Sequence, residues 1–312
     1  RCSLEGDRKM KKIALLTMIG ALCLTGCSIV KEEDKTAPAL ELTKTRVQVG
    51  VNSQVDYQSY IQKAIDEVDG DLISAVQYNE IDTSKTGQYE VQYTVKDESG
   101  NESKQTLLVD VVKYFQNGIF SPLGVKADTV DNPEDVTVLV NKLHQIPEGW
   151  TPDDLEPVID NANQKLRKEA NEAYTKFYNA AKAKGIDIYS ISGYRTNATQ
   201  TLYWNNQVKV YGEEYASQYS AYPGRSEHQL GLAIDVSYTT QGDRLSEKVA
   251  DSAIGKFIIS DAYKYGFTLR YKKDKVAITN YGYEPWHIRY VGIDLATKLH
   301  DQNLTLEEYY KQ

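Results

Sequence analysis

The chain has 312 residues, 41% of them hydrophobic, which is enough for more than one core. Forty-four acidic residues against 36 basic ones leave a formal charge of −8, and no cluster of Lys and Arg is interleaved with aromatics. A nucleic-acid-binding role is therefore disfavoured.

At the N-terminal end, Met10-Lys11-Lys12 opens a basic stretch, an apolar run follows from Ile13 to Leu24, and Leu24-Thr25-Gly26-Cys27 comes next. The apolar run is too short to span a bilayer as a helix. The arrangement resembles a bacterial lipoprotein signal over residues 1–26, with 1–9 an upstream extension. The resemblance implies cleavage before Cys27, lipidation of its thiol, and anchorage to the outer face of the cytoplasmic membrane of a Gram-positive cell. Cys2 and Cys23 would leave with the signal, so an exported mature protein would have no disulfide and must rely on its core. The signal carries five basic and two acidic residues, so the mature chain is more acidic still.

Residues 27–36 read as a short charged tether. A β domain is expected over 37–113. Tyr89, Val91, Tyr93 and Val95 alternate in strand fashion, 96–101 supplies a turn, and 106–112 forms another strand. Asp82 to Tyr89 leading into Tyr93-Thr94-Val95-Lys96-Asp97 resembles the bacterial immunoglobulin-like (Ig-like) repeats of surface proteins. The single copy has no site-like constellation, which favours a spacer over the alternative of glycan binding. Residues 114–133 read as a linker.

The remaining segment, 134–312, mixes helix and strand. Leu166, Ala170, Ala173, Phe177, Ala180 and Ala181 recur at helical spacing, and Gly185 fits the position just past a helix end. Further helices are expected at about 198–210, 247–265, 294–300 and 306–312, and strands at 186–192, 231–236 and 286–291. The expected fold class is an α+β domain preceded by a small all-β sandwich.

Two of the chain's four histidines fall in Ser226-Glu227-His228-Gln229-Leu230-Gly231-Leu232-Ala233-Ile234-Asp235 and Glu284-Pro285-Trp286-His287. Two imidazoles and a carboxylate suit a catalytic Zn2+ with one position left open, and a further carboxylate is what hydrolysis needs as general base. Strand alternation puts Ala233 and Asp235 on one face, and a turn before Gly231 can bring His228 round to them. A lone histidine usually only satisfies core or surface hydrogen bonds. That reading suits His144 and His300 but leaves the company of Asp235 and Glu284 unexplained.

These motifs, with Ser192-Gly193-Tyr194-Arg195-Thr196 upstream, resemble the VanY-type D-alanyl-D-alanine carboxypeptidases of the M15 zinc peptidase group, which includes L,D-carboxypeptidases. Leu139 to Lys142 and Pro147 to Leu155 resemble that family's opening segment. The resemblance implies His228, Asp235 and His287 as zinc ligands, Glu284 as catalytic base, and Arg195 facing the substrate to grip a carboxylate or a developing oxyanion. Ser226 and Gln200 stand where polar substrate contacts are expected, and Tyr194 and the Tyr222-Pro223-Gly224 turn are candidates to line the groove.

The leading reading is a monomeric zinc carboxypeptidase that removes terminal D-alanine from peptidoglycan stem peptides. A cross-link endopeptidase and a non-catalytic wall-binding lipoprotein are the alternatives. Glu284 weighs against the last, because a structural zinc site needs no base. The sequence leaves open whether cleavage is of the D,D or the L,D type.

Overall fold

A computed structural model describes residues 34–311, so the leader and Cys27 lie outside the described residues. The first seven strands are β1 (Ala39–Leu42), β2 (Arg46–Gly50), β3 (Ile61–Asp66), β4 (Gly70–Asp71), β5 (Gln77–Tyr78), β6 (Gly87–Lys96) and β7 (Glu102–Val112). They form two sheets, ordered β1-β3-β4 and β2-β7-β6-β5. β6 and β7 are paired in antiparallel register from Gly87 opposite Val111 to Lys96 opposite Glu102. The alternation seen in the sequence fixes which face is buried: Val91, Tyr93 and Val95 point inward against Leu40, Val47, Ala64, Leu107 and Val109. Tyr93 can be buried because its hydroxyl donates to the Tyr57 carbonyl at 2.9 Å.

Beyond β7 the chain does not run free. Phe120 and Val125 are buried against Val112, the last residue of that strand. Two buried cations hold this stretch to the following domain. Arg225 donates to the carbonyls of Pro122, Val125 and Lys142 at 3.2, 2.7 and 2.9 Å. The Lys142 ammonium donates to the Phe120 carbonyl at 2.7 Å and to Asn280 Oδ1 at 3.0 Å. Burial pushes that ammonium well below its ordinary pKa. Arg46 of β2 adds a clamp, bonding Asp110 at 2.5 Å and also Asp128.

The second domain begins with two short parallel strands, β8 (Asp128–Thr129) and β9 (His144–Gln145), and a hairpin of β10 (Leu155–Val158) and β11 (Asn161–Arg167). Helix α1 (Lys168–Ala183) follows, then β12 (Tyr189–Ser192), α2 (Asn197–Tyr219), β13 (Ala233–Ser237), α3 (Ala253–Asp261) and β14 (Phe267–Leu269). The last elements are α4 (Val276–Thr279), β15 (His287–Tyr290), α5 (Ile293–Asp301) and α6 (Leu306–Tyr309). The central sheet is antiparallel, ordered β12-β13-β15-β14. The buried stripe of α1, Ala170, Ala173, Tyr174, Phe177 and Ala181, covers one face of it, packing with Ile234, Val236, Phe267 and Ile288. Among the described residues no helix is long and apolar enough to cross a membrane.

The fold is thus an α+β domain behind a β-sandwich, with local departures from the sequence reading. Leu166 lies within β11, opposite Glu156, instead of opening the helix, because residues 161–167 pair with β10 before α1 begins. The stretch 247–265 is divided: Ser252 has an extended backbone, and its hydroxyl caps α3 by accepting from Gly255 N at 3.2 Å. The helix expected to end near 210 does break there: α2 is interrupted at Gly212, with φ +88° and ψ 166°, and a second helical stretch leads on to Tyr219.

Phe177 is fully buried and stacks on Phe257 at 5.1 Å between ring centroids. Phe177→Ala should cost about 3–5 kcal/mol of stability. The chain's three tryptophans, Trp150, Trp204 and Trp286, all lie in the second domain, so urea unfolding followed by tryptophan fluorescence reads this loss directly.

Candidate active site

The site grows from the register of two strands. β13 and β15 pair so that Asp235 stands directly opposite His287, a placement that brings cross-strand side chains to within about 5 Å at Cβ. All five residues of β13 are buried: Ile234 and Val236 go to the core, while Asp235 lines the cleft. His228 arrives from a 3₁₀ turn, Glu227–Leu230, that ends at Gly231 with φ +68°. A side chain at that position would be strained and would also press on Arg167 and Leu155 at 3.0 Å.

One ligating atom each from His228, Asp235 and His287 lies within 4.8 Å of the others, and all three residues are buried. His228 Nδ1 faces the Gly193 carbonyl at 2.8 Å, which turns Nε2 towards Asp235 at 3.4 Å. His287 presents Nδ1 to Asp235 at 3.1 Å and Nε2 to Glu227 at 3.3 Å. Each imidazole therefore spends one nitrogen on an orienting oxygen and turns the other to the common centre, as metal-ligating histidines do. Burial, with Arg195 adding to it, lowers the His228 pKa to about 4, leaving a neutral ring with a free lone pair. Burial also opposes charge on His287, but hydrogen bonds to Asp235 and Glu227 outweigh it and raise the pKa to about 9. The centre draws positive charge, and its N,N,O donor set fits Zn2+.

Glu284 lies 3.8 Å from His287 Nδ1, and burial pushes its pKa up to about 8. Arg195 also reaches the centre, through Asp235 Oδ2 at 3.0 Å. Its Nε bonds Ser192 Oγ at 2.9 Å, its Nη1 bonds Gln200 at 3.4 Å, and its plane lies 4.6 Å from the Tyr203 ring centroid. A guanidinium has five N–H donors, so each terminal nitrogen keeps one for a ligand.

A cleft of about 380 Å³ joins these groups. Arg195, Ser226, His228, Asp235, Glu284 and His287 line it together with Tyr203, Tyr215, Tyr219, Tyr271, Tyr281 and Tyr283. Among the described residues, the Tyr281 hydroxyl is buried with no hydrogen-bond partner. Tyr194 and Gln200 do not line the cleft; Gln200 is fully buried and braces Arg195 while bonding the Ala221 carbonyl at 2.8 Å. His144 and His300 lie elsewhere, the first against Asn141 and the second stacked on Tyr263.

Glu227 is the residue whose part sequence reasoning missed. It is buried, and its Oε1 accepts from Arg270 at 2.7 Å and Arg289 at 2.9 Å while Oε2 faces His287. Arg270 in turn grips Glu307 with two bonds of 2.7 and 2.9 Å. The two guanidinium groups hold Glu227 ionised against its burial. Its place immediately before His228 was visible, but nothing in local spacing reveals partners 43 and 62 residues away.

Glu227→Gln should weaken Zn2+ binding ~10–100-fold by loosening His287. It should also cost about 3–5 kcal/mol of stability, because the buried Arg289 guanidinium loses its counter-charge while Arg270 keeps Glu307. Chelator competition and urea unfolding measure the two effects separately.

The family model described as "D-alanyl-D-alanine carboxypeptidase" (VanY) matches residues 163–293, and that for "Bacterial surface protein, Ig-like domain" matches 43–111. The putative carboxypeptidase YodJ of Bacillus subtilis is 43% identical over 192 residues, covering 59% of this chain and 70% of that one. Among solved structures, the LdcB LD-carboxypeptidase superposes with a TM-score of 0.54 at 38% identity, covering 64% of this chain and 92% of that one. The vancomycin-resistance D,D-pentapeptidase VanY in complex with Zn(II) superposes with a TM-score of 0.50 at 33% identity, covering 56% and 98%. With a cleft of this construction and relatives of this closeness, the chain belongs to the VanY-type D-alanyl-D-alanine carboxypeptidase family.

Proposed function

We propose that the protein is a zinc carboxypeptidase that releases C-terminal D-alanine from peptidoglycan stem peptides. One observation carries the reading: a converging His228–Asp235–His287 donor set with a buried carboxylate, Glu284, beside it in an open cleft. His228 Nε2, the Asp235 carboxylate and His287 Nδ1 would hold the ion. When bound, it supplies Lewis acidity for the attack of water on the scissile carbonyl. Glu284 accepts the proton of the attacking water and returns it to the leaving amine of D-alanine. The two spare donors of Arg195 serve the developing oxyanion or the terminal carboxylate, and the orphaned Tyr281 hydroxyl is a further donor for substrate. Ser226 lines the same cleft and is the proposed polar contact beside His228.

The location follows from the substrate: an enzyme of wall peptides carrying a surface Ig-like domain works outside the cytoplasm. For the finer placement we propose lipid attachment at Cys27, on the strength of the Leu24-Thr25-Gly26-Cys27 motif behind a short apolar run. The sandwich over 37–113 then acts as a spacer between membrane and catalytic domain.

Two experiments test these readings. Purified protein incubated with a defined pentapeptide and a defined tetrapeptide should release D-alanine from at least one, read by mass spectrometry. Glu284→Gln should keep its zinc but turn over ~10²–10⁴-fold more slowly, whereas His228→Ala should lose metal and activity together. Release from neither peptide by the wild type, or near-wild-type turnover by Glu284→Gln, would overturn the assignment. Separately, Cys27→Ala should move the protein from the membrane to the soluble fraction, and unchanged fractionation would refute the anchor.

A further inference from the structure

Helix α2 carries a row of aromatic side chains that the chemistry above does not use in full. Tyr215 and Tyr219 stand at i and i+4 on one face of the stretch after Gly212, and Tyr211, just before the break at Gly212, joins their row through its ring. Their ring centroids are 4.6 Å and 4.9 Å apart in succession. Tyr219 and Tyr215 line the catalytic cleft, whereas Tyr211 lies beyond its lining. Exposure rises along the row: Tyr219 is partly buried, Tyr215 is 41% exposed and Tyr211 is 59% exposed, with Val210 beside it at 56%. Gly212 interrupts the helix between the outer two rings, at φ +88° and ψ 166°, a conformation that disfavours any side chain.

Solvent-exposed aromatics gathered in one place cost solubility and mark an interaction surface. This row is continuous with the cleft, so its occupant is joined to the substrate. Tyr215 and Tyr219 line the cleft that would hold the stem peptide, so the more exposed Tyr211 stands where that peptide leaves the cleft towards the sugar to which it is attached. Pyranose rings present a face of C–H bonds that stacks on aromatic rings, and their hydroxyl groups pair with phenolic O–H groups. Glu214 is exposed within the row's segment and Glu213 is paired with Lys113 at 3.0 Å, so the surface has no excess of cations to draw an anionic lipid.

We infer that the Tyr211–Tyr215–Tyr219 row is a platform for the glycan strand, holding the N-acetylated disaccharide that bears the stem peptide in the cleft. This rests on the stem-peptide reading given above. The platform contributes binding and no chemistry, so its effect falls on KM when the sugar is present.

The test compares a free stem peptide with the same peptide carried on its disaccharide. The wild type should show a higher kcat/KM on the disaccharide-peptide through a lower KM. Tyr211→Ala should lose roughly three- to tenfold on that substrate, leave the free peptide unchanged, and be rescued by Tyr211→Trp. Equal treatment of both substrates by the wild type, or an equal loss on both in Tyr211→Ala, would overturn the platform. Binding of the disaccharide-peptide to Glu284→Gln protein, with and without Tyr211→Ala, reads the platform without turnover. Tighter binding of the disaccharide form that depends on Tyr211 supports it even if the wild type releases no D-alanine, in which case only the catalytic reading fails. Sedimentation with phosphatidylglycerol vesicles closes the remaining route: Tyr211-dependent vesicle binding without Tyr211-dependent sugar binding would replace the glycan by a membrane.

Discussion

The Glu227 carboxylate is the point on which the site depends. Moving a carboxylate and two guanidinium groups out of water costs several kcal/mol each, and only close, well-directed contacts offset it. Glu227 meets this with Arg270 at 2.7 Å and Arg289 at 2.9 Å, and Glu307 answers the remaining donors of Arg270. Its second oxygen is then fixed in place for His287 Nε2. Remove the cations and the carboxylate would be driven to neutrality; remove the carboxylate and the ring of His287 loses the partner that turns Nδ1 to the centre. The cluster spans β14's end, β15 and α6, so the packing of the C-terminal helices bears directly on the setting of His287.

A second layer of coupling comes from the chain entering the domain. Arg225 stands next to Ser226, and Asn280 next to Tyr281, so the residues that tie down 120–125 adjoin two that line the cleft. Asn280 is itself left-handed at φ +59° and uses one oxygen to receive both Phe120 N and the Lys142 ammonium. A segment that composition alone marks as a connection therefore braces both walls of the site.

The convergence of His228, Asp235 and His287 was legible in the sequence because it is written locally. His228 and Asp235 are one turn and one strand apart, Glu284 and His287 are three residues apart, and strand alternation sorts them onto one face. The α+β class was legible for the same reason, from the stripe of α1 and the alternation of β6. What escaped depends on contacts distant in sequence. Nothing local marks Arg270, and only the fold brings it to Glu227 across 43 residues. The family resemblance implies a substrate contact at Gln200, and only packing shows that it faces inward and holds Arg195. Leu166 fits a helical pattern, yet the pull of a β-hairpin partner is stronger than one position of propensity.

The junction between sandwich and catalytic domain has a consequence for recombination. The two parts look like exchangeable modules, but the seam is built from residues of both. Arg46 comes from the sandwich, Phe120 and Pro122 from the crossing, and Lys142, Arg225 and Asn280 from the domain beyond. A graft that replaced the sandwich together with the crossing would leave a buried ammonium and a buried guanidinium facing empty space beneath the catalytic loops. Shuffling at this seam calls for a cut at the end of β7, which leaves the sandwich its strand between β2 and β6 and lets residues 113–125 travel with the enzyme they brace.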